Sequence, residues 1–391
     1  MIKKVIFVAY QPLTEKVKED YYFNNLVESK IEIEYWDLSE IYFKNIEFTN
    51  NCSDEFVVKF NSLNGLEQNI RQQDVLTTLY LCNITFEYRS LSLYKIFSKY
   101  KCQTAFFARG ALPSISLNSR LSKTLDNFKK ALNIRSLFRF LLNKYAYLLK
   151  KWGVILPHKI IFRAGSEGLR TIGAGSNIEL KYSNIIDVNS FDYDNYVITK
   201  NTKRLIEFKY CVYLDEYLPF HPDFKMLNIK VVNPSEFYNR INDFFNFLES
   251  EYQIKIVIAA HPKANNYRSS DYFCGRQVYF NKTAELVKDS EFILFHCSTS
   301  VSFAVLNGKP IFSLTSNSIK KDMPYYYDYI NYFSGILGSK VVNIDQNFDL
   351  NLILAKPSPY KYQKFTYEYL TSDKSHATAS SKIFIESIRS L

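Results

Sequence analysis

Two polar clusters follow apolar runs of the sequence and carry side chains that could bind a phosphate. His261-Pro262-Lys263 comes directly after Ile254–Ala260, and Ser298-Thr299-Ser300 follows Phe292–Phe295. Continuous apolar and β-branched residues are typical of buried parallel strands, and ligands of open α/β sheets bind just beyond the carboxyl ends of such strands. Both clusters are therefore predicted to lie at a ligand site.

The imidazole of His261 could donate a hydrogen bond to a phosphate oxygen or protonate a leaving group. Pro262 keeps the chain extended after it, and Lys263 adds a cation to the predicted donor-binding residues. The alternative is a structural histidine bonded to a neighbouring backbone carbonyl. His221 begins a second His-Pro pair, but it is predicted to lie in a loop rather than behind a strand, which makes it the weaker candidate.

The hydroxyl groups of Ser298, Thr299 and Ser300 precede the apolar helix predicted over Val301–Leu306. Hydroxyls at a helix N-terminus cap its free amides, and the amides together with the helix dipole attract anions. We expect this cluster to hold a phosphate. Plain N-capping, the alternative, accounts for one hydroxyl and leaves the others unexplained.

Asp215 and Glu216 end the predicted strand that opens the second half of the chain. Adjacent residues of a strand point to opposite faces, so one of the two carboxylates can enter a binding cleft and take a proton from an attacking hydroxyl. A pair of solvated turn residues is the alternative. The sequence leaves open which of the two acids would be the base.

The length of 391 residues exceeds what one hydrophobic core usually supports, which predicts two domains. Alternating strand and helix patterns predict an α/β fold, with domains at 1–200 and 205–375 and a terminal helix over 376–391 that packs back on the first domain. Proline at its first turn and a periodic apolar face predict a helix over Pro234–Tyr252, and a second helix is predicted over Thr14–Ser29.

The formal net charge of +10 is concentrated in a basic segment predicted to form one or two amphipathic helices over 118–160. Between Arg120 and Arg163 the sequence has eleven cations and a single anion, Asp126. Basic amphipathic helices are typical of membrane-facing or polyanion-facing surfaces, and a solvated outer helix face is the alternative. The predicted membrane- or acceptor-facing residues are Arg120, Lys123, Lys129, Lys130, Arg135 and Arg139.

Several other functions are disfavoured by the sequence. The six cysteines are scattered without metal-ligand spacing, so we expect reduced thiols, a cytoplasmic protein and no metal site. The sequence shows no signal peptide and no membrane span, and Gly173-Ala-Gly175 lacks the third glycine of a dinucleotide-binding motif. P-loop, HExxH and Gly-x-Ser-x-Gly motifs do not occur, and we predict no nucleic-acid partner.

The order of an acid pair, a His-Pro pair and a Ser/Thr cluster resembles bacterial sialyltransferases and related transferases of capsule and lipopolysaccharide synthesis. The resemblance covers roughly Tyr210–Leu314. It implies a GT-B-like fold, with two Rossmann-like α/β domains facing a central cleft, and a CMP-activated ulosonic acid donor of the sialic acid, Kdo or pseudaminic acid type. One departure is that Tyr217 follows the acid pair, where these enzymes typically have glycine.

The resemblance also implies roles for individual residues. Asp215 or Glu216 would be the catalytic base, while His261 and the Ser/Thr cluster would hold the nucleotide phosphate. Thr283–Ser290 also resembles part of the nucleotide-side lobe of the wider GT-B group. This resemblance implies that Glu285 would reach the nucleotide ribose.

These observations predict a metal-independent glycosyltransferase of surface-polysaccharide assembly, cytoplasmic and peripheral at the inner membrane face. Its partners would be a nucleotide sugar, with a CMP-linked donor favoured and no separate cofactor, a glycan or lipid-linked glycan acceptor, and an anionic membrane surface. The alternatives are a GT-B transferase with an NDP-hexose donor, transfer of a non-sugar group such as pyruvate, and a non-catalytic polyanion-binding protein.

Overall fold

The computed structural model describes residues 1–43, 52, 54–114, 134–226, 229–346 and 356–391. The chain divides into two compact units. The first unit comprises Met1–Ala111, Ser116–Phe191 and Thr371–Leu391, and the second comprises Leu112–Ile115 and Asp192–Leu370.

The first unit is built on a parallel sheet whose described strands lie in the order β3-β2-β1-β4-β5-β6-β7. Its strands are β1 (Lys4–Ala9), β2 (Glu32–Asp37), β3 (Val57–Lys59), β4 (Thr78–Cys82), β5 (Gln103–Ala108), β6 (Ile160–Ala164) and β7 (Asn184–Val188). Its helices are α1 (Glu15–Asp20), α2 (Phe23–Glu28), α3 (Ser39–Tyr42), α4 (Leu63–Gln72), α5 (Leu91–Lys99), α6 (Ile134–Lys151) and α7 (Ser176–Tyr182), and α8 (Phe191–Thr199) leads into the second unit.

The second unit is built on a parallel sheet in the order β10-β9-β8-β11-β12-β13. Its strands are β8 (Tyr210–Leu214), β9 (Lys255–Ala260), β10 (Val278–Phe280), β11 (Ile293–Phe295), β12 (Ile311–Thr315) and β13 (Lys340–Asn343). Its helices are α9 (Pro222–Met226), α10 (Pro234–Tyr252), α11 (Thr283–Asp289), α12 (Val301–Leu306), α13 (Asn317–Asp322), α14 (Pro324–Leu337) and α15 (Pro359–Phe365).

Helix α16 (Ser380–Arg389) belongs to the first unit although it lies at the end of the chain. Short 3₁₀ helices cover Tyr88–Ser90, Gly168–Ile172, Leu218–Phe220 and Asn265–Arg268, and a π-helical turn covers Thr366–Leu370. Both sheets are entirely parallel within the described strands, and each has helices between its strands. The expected α/β fold with two Rossmann-like units is confirmed.

Alternate residues of β1 supply the two cores of the first sheet. Val5 and Phe7 pack into the cluster on one face, and Ile6 and Val8 pack into the cluster on the other. Because successive strand side chains point to opposite faces, an uninterrupted apolar strand is stable only when helices cover both of them. The hydrophobic run at the start of the sequence is thus an interior strand of a doubly covered sheet.

Helix α10 forms where the sequence predicts a helix over Pro234–Tyr252. Asn233 caps it by accepting a hydrogen bond from the backbone N–H of Glu236 at 3.1 Å, and Pro234 occupies its first turn. The predicted helix over Thr14–Ser29 is wrong in one respect. Tyr22 has a φ of 60° and separates α1 from α2.

Phe384 of α16 is fully buried in the first unit. Its burial predicts how strongly the terminal helix stabilises that unit. Its ring centroid lies 5.0 Å from those of Phe107 and Phe162. We expect Phe384→Ala to lower the free energy of unfolding by about 3–5 kcal/mol, because it leaves a cavity between the helix and the sheet. Urea unfolding measures the change, with exposed Tyr182→Ala as the matched control; equal midpoints for the two variants would contradict the packing.

Candidate active site of the second unit

The predicted site residues follow three neighbouring strands of the second sheet. Asp215 and Glu216 follow β8, His261 follows β9, and the Ser/Thr cluster follows β11. The strand order reverses between β8 and β11, and in doubly wound sheets ligands bind at the carboxyl ends beside such a reversal. The topology therefore brings the three sequence clusters to one edge of the sheet, at its usual binding position.

Asp215 is the most deeply buried acid of this edge, with 3% of the residue exposed. Its Oδ2 accepts a hydrogen bond from the backbone N–H of His261 at 3.5 Å, and its Oδ1 has no hydrogen-bond partner among the described residues. Burial raises the pKa of Asp215 to about 7, although nearby backbone amides of Tyr217 and His261 oppose the rise. A carboxyl group with this pKa can both accept and release a proton near neutral pH.

Both carboxylate oxygens of Glu216 are occupied. Oε1 accepts a hydrogen bond from the backbone N–H of Cys297, and Oε2 accepts one from the hydroxyl group of Tyr326 in α14. Burial raises the pKa of Glu216 to about 7, the Asp215 charge adds to the rise, and the two hydrogen bonds oppose it. Glu216 therefore ties the end of β8 to the loop after β11 and to α14.

Tyr217 explains how this chain tolerates the departure from glycine after the acid pair. Its φ is 56°, in the left-handed region that glycine adopts without steric cost. The tyrosine ring is buried and makes an edge-on contact with Tyr267, with ring centroids 5.3 Å apart, and a tilted contact with Phe220. The turn thus keeps a glycine-like backbone, and aromatic packing offsets a strain of about 1–2 kcal/mol.

His261 is half-buried and has one ring nitrogen fixed by its own turn. Nδ1 accepts a hydrogen bond from the backbone N–H of Lys263 at 3.2 Å, so the proton of the neutral ring lies on Nε2. Burial lowers the pKa of His261 to about 4, and the neighbouring His221 and Lys263 lower it further. At neutral pH the ring is a neutral hydrogen-bond donor, and the predicted alternative, a ring bonded to a backbone carbonyl, does not occur in the described structure.

His221 lies in a loop, as the sequence predicts, but that loop is beside His261. The two ring centroids are 4.9 Å apart, and Nδ1 of His221 accepts a hydrogen bond from the backbone N–H of Asp223 at 3.2 Å. Lys263 Nζ and Asp223 Oδ1, 3.1 Å apart, form an ion pair between the two His-Pro turns. Sequence analysis ranked His221 below His261, since strand patterns give no information about which loop approaches a strand end.

The Ser/Thr cluster differs from the expected helix cap. Ser300 is the N-cap residue of α12, but its side chain makes no capping bond, and Ser298 Oγ instead accepts from the backbone N–H of Ser300 at 3.3 Å. The amides of Val301, Ser302 and Phe303 donate to the carbonyls three residues earlier. The expectation of free helix amides is therefore wrong, because a tight turn consumes them.

What the cluster offers a ligand is its hydroxyl groups. Within the described part of the chain, the hydroxyls of Thr299 and Ser300 have no hydrogen-bond partner, and Thr299 is exposed. These two hydroxyls, rather than a helix dipole, are the groups available for a phosphate oxygen.

The three remaining predicted donor-binding residues are Glu285, Pro262 and Lys263. Glu285, in the first turn of α11, forms an ion pair with Lys282, with 2.9 Å between Nζ and Oε1. No contact with the acids or the histidines is found for it among the described residues. Pro262 is exposed between His261 and Lys263. Lys263 donates its backbone N–H to His261 Nδ1 and forms an ion pair with Asp223.

The basic segment is described only from residue 134. Arg120, Lys123, Lys129 and Lys130 lie outside the described residues, as does the side chain of Arg135, whereas Arg139 is exposed on α6. Lys150 corrects the idea of a uniformly cationic face. It is buried, contacts the carboxylate of Glu179, and its Nζ lies 4.4 Å from the ring centroid of Phe86.

Among the described residues, no group of three or more histidine, cysteine or acidic side chains is arranged to hold a metal ion. The same part of the chain has no helix that is both long and apolar enough to cross a membrane. Sequence reasoning missed Tyr326, which lies in α14 far along the chain from Glu216. A single tyrosine in a tyrosine-rich helix carries no sequence signal for such a contact.

No protein-family model and no curated protein matches this sequence. Solved structures similar over the full length include Staphylococcus aureus MnaA with UDP, with 12% identity, a TM-score of 0.49, and 99% of this chain and 96% of that chain covered. The UDP-GlcNAc 2-epimerase of Methanocaldococcus jannaschii also has 12% identity and a TM-score of 0.49, with 100% of both chains covered. The calicheamicin glycosyltransferase CalG4 has 11% identity and a TM-score of 0.48, covering 100% of this chain and 98% of that chain.

The raised pKa of Asp215 predicts a pH-dependent stability. Between the ordinary carboxyl pKa of about 4 and the folded value of about 7, the folded state binds more protons than the unfolded state, so the stability falls as the pH rises. We expect Asp215→Asn to remove part of this loss. Between pH 5 and pH 8, the free energy of unfolding of the variant should fall by about 2 kcal/mol less than that of the unaltered protein. Urea unfolding at both pH values tests this, with exposed Asp328→Asn as control. If Asp215→Asn changed the free energy of unfolding by the same amount at both pH values, the burial assigned to Asp215 would be contradicted.

Proposed function

We propose that the second unit binds a nucleotide-activated sugar and transfers the sugar to an acceptor hydroxyl group. The observation that carries this proposal is the meeting of a buried acid and a neutral, donor-ready imidazole at the strand reversal of the sheet. Asp215 accepts from the same turn that holds His261, and the unpartnered hydroxyls of Thr299 and Ser300 follow the adjacent strand β11. Base, phosphate-binding groups and strand reversal are what a metal-independent glycosyl transfer requires.

Asp215 is the proposed base, and Glu216 is a positioning residue. Asp215 Oδ1 accepts no hydrogen bond among the described residues, whereas each oxygen of Glu216 already accepts one that a proton transfer would disturb. The acceptor oxygen forms a bond to the anomeric carbon while its proton passes to Asp215. The bond from that carbon to the phosphate oxygen breaks, and its electron pair leaves with the phosphate.

The departing phosphate is stabilised by hydrogen bonds in this proposal. His261 donates from Nε2, and the hydroxyls of Thr299 and Ser300 supply further donors. Because the His261 ring is held by its turn before the ligand arrives, little reorganisation is needed as negative charge develops. An anion beside the ring favours its protonated form, so phosphate binding raises the low pKa of His261.

Two donor classes are compatible with this scheme. A CMP-linked ulosonic acid is suggested by the order of the sequence motifs, and its monophosphate would occupy His261 and the hydroxyls. A nucleoside-diphosphate hexose needs donors for a second phosphate group. The second His-Pro turn, with His221 beside His261, favours the diphosphate donor.

The surface of α6 supports a peripheral association with anionic membranes. Phe138, Leu141 and Tyr145 follow one another at helical spacing on α6, and Trp152 comes directly after its last residue; the four are 62%, 54%, 48% and 66% exposed. Exposed Lys144 and Lys151 accompany this stripe, and the sequence has no acidic residue from 134 to 166. Exposed aromatic residues together with cations are typical of helices that lie in a bilayer interface.

Variants of Asp215 and His261 separate catalysis from binding. We expect Asp215→Asn to lower the release of nucleotide from a panel of UDP-GlcNAc, TDP-glucose and CMP-sialic acid by at least about 100-fold, while nucleotide affinity stays within about threefold. His261→Asn should weaken nucleotide binding about tenfold. Asp328→Asn serves as the control. Unchanged turnover by Asp215→Asn, or an unaltered protein that neither binds a nucleotide nor turns over any donor, would contradict the proposal.

Substitutions on α6 test the membrane association. We expect the double variant Phe138→Ser and Trp152→Ser to reduce co-sedimentation with phosphatidylglycerol vesicles at least about tenfold, because two exposed aromatic groups no longer enter the interface. Binding to the unaltered protein should fall with added salt and be weak on phosphatidylcholine vesicles. Exposed Tyr360→Ser, in the second unit, is the control. Equal binding by the double variant would exclude this surface.

A further inference from the structure

We propose that His221 and His261 act as a two-imidazole site for adjacent phosphate groups, so that the donor is linked to a nucleoside diphosphate. This inference rests on the proposed function, because it assigns the donor class of the same site. Nothing in the acid–hydroxyl arrangement alone requires a second histidine. Two features support the second histidine: the two His-Pro turns have the same internal hydrogen bond, and they contact each other.

The two turns have the same internal hydrogen bond. In each, Nδ1 of the histidine accepts from the backbone N–H two residues later, at 3.2 Å in both cases, and the intervening proline has no N–H to compete. In the neutral ring, each histidine therefore carries its proton on Nε2. Neither Nε2 has a hydrogen-bond partner among the described residues.

The turns are also joined to each other at two points. The His221 and His261 rings meet at an angle of 64° with centroids 4.9 Å apart, and Lys263 Nζ lies 3.1 Å from Asp223 Oδ1. His221 also contacts the ring of Phe224, with centroids 5.4 Å apart. These contacts hold two N–H donors side by side in a half-buried position, which a flexible pair of surface histidines would not achieve.

The charges around the pair suit an anion. Lys263 is exposed beside the rings, and the carboxylate of Asp223 is engaged by that lysine rather than left facing the histidines alone. Asp215 lies behind the backbone of His261, and its burial keeps it partly protonated near neutral pH. A phosphate group therefore meets two neutral donors and a cation, whereas a divalent cation would meet a lysine.

The geometry also gives the expected pH dependence. Burial lowers the pKa of both histidines, so the free site is uncharged at neutral pH. Diphosphate binding favours the protonated rings, and protons are therefore taken up with the ligand. The affinity should rise as the pH falls from 8 to 6, and Asp223 and Lys263 are the other titratable groups that face the pair.

Calorimetry with matched nucleotide pairs tests the proposal directly. The full-length protein is titrated with UDP and UMP, and with CDP and CMP, at pH 6 and pH 8. For the nucleoside that binds, we expect the diphosphate to bind at least about tenfold more tightly than the monophosphate. His221→Asn should abolish that preference and leave monophosphate affinity within about twofold, whereas His261→Asn weakens both. His221→Gln, whose amide nitrogen can replace Nε2, should restore part of it.

The outcomes distinguish this proposal from the proposed function. Nucleotide binding without a diphosphate preference, or a preference that survives His221→Asn, overturns the two-imidazole site and leaves the glycosyltransferase proposal intact. If none of these four nucleotides binds and TDP and TMP do not bind either, both proposals are overturned. Exposed His376→Gln is the matched control and should change neither affinity. Thermal unfolding shows whether His221→Asn has a folding defect. If it has, the diphosphate preference of His221→Gln is compared with that of the unaltered protein instead.

Discussion

The site depends on two adjacent carboxyl groups held in a buried position at the end of β8. Burial raises the pKa of Asp215 and of Glu216 to about 7. Burying a carboxyl group costs free energy of folding unless hydrogen bonds offset the loss of hydration. Glu216 receives that compensation from Cys297 and Tyr326, and in doing so it fixes the loop that presents the Ser/Thr cluster. Asp215 is only partly compensated, because its Oδ1 has no hydrogen-bond partner among the described residues.

The different environments of Asp215 and Glu216 follow from strand geometry, which can be predicted from the sequence. Consecutive residues at a strand end point in opposite directions, so two neighbouring acids cannot do the same work. One of them binds the adjacent loop and the other faces the binding edge. The left-handed Tyr217 makes the turn that follows, and its buried ring keeps that turn in place. Chemistry and architecture are thus carried by three successive residues.

Much of the fold could be predicted from the sequence because the strands are buried on both faces and read as continuous apolar runs. The helix over Pro234–Tyr252 was equally clear, since its cap, its proline and its apolar period agree. The break at Tyr22 was not, because a tyrosine in a left-handed conformation has no local signature. Contacts between distant segments were invisible for the same reason: neither the approach of His221 to His261 nor the bond from Tyr326 to Glu216 follows from local patterns.

The Ser/Thr cluster follows β11, as the sequence predicts, but its hydrogen bonding differs from the expected helix cap. The sequence suggested a helix cap and free amides, but α12 is short and its first amides close a tight turn. Among the described residues, the hydroxyl groups of Thr299 and Ser300 and the Nε2 atoms of His221 and His261 then remain without hydrogen-bond partners.

A crystal structure of the protein with UDP or CMP bound would test the central claim most directly. The account predicts phosphate oxygens within hydrogen-bond distance of Nε2 of His261 and of the hydroxyls of Thr299 or Ser300, with Asp215 facing the sugar-bearing side of the phosphate. A nucleotide whose phosphate lay away from the carboxyl ends of β8, β9 and β11 would contradict it.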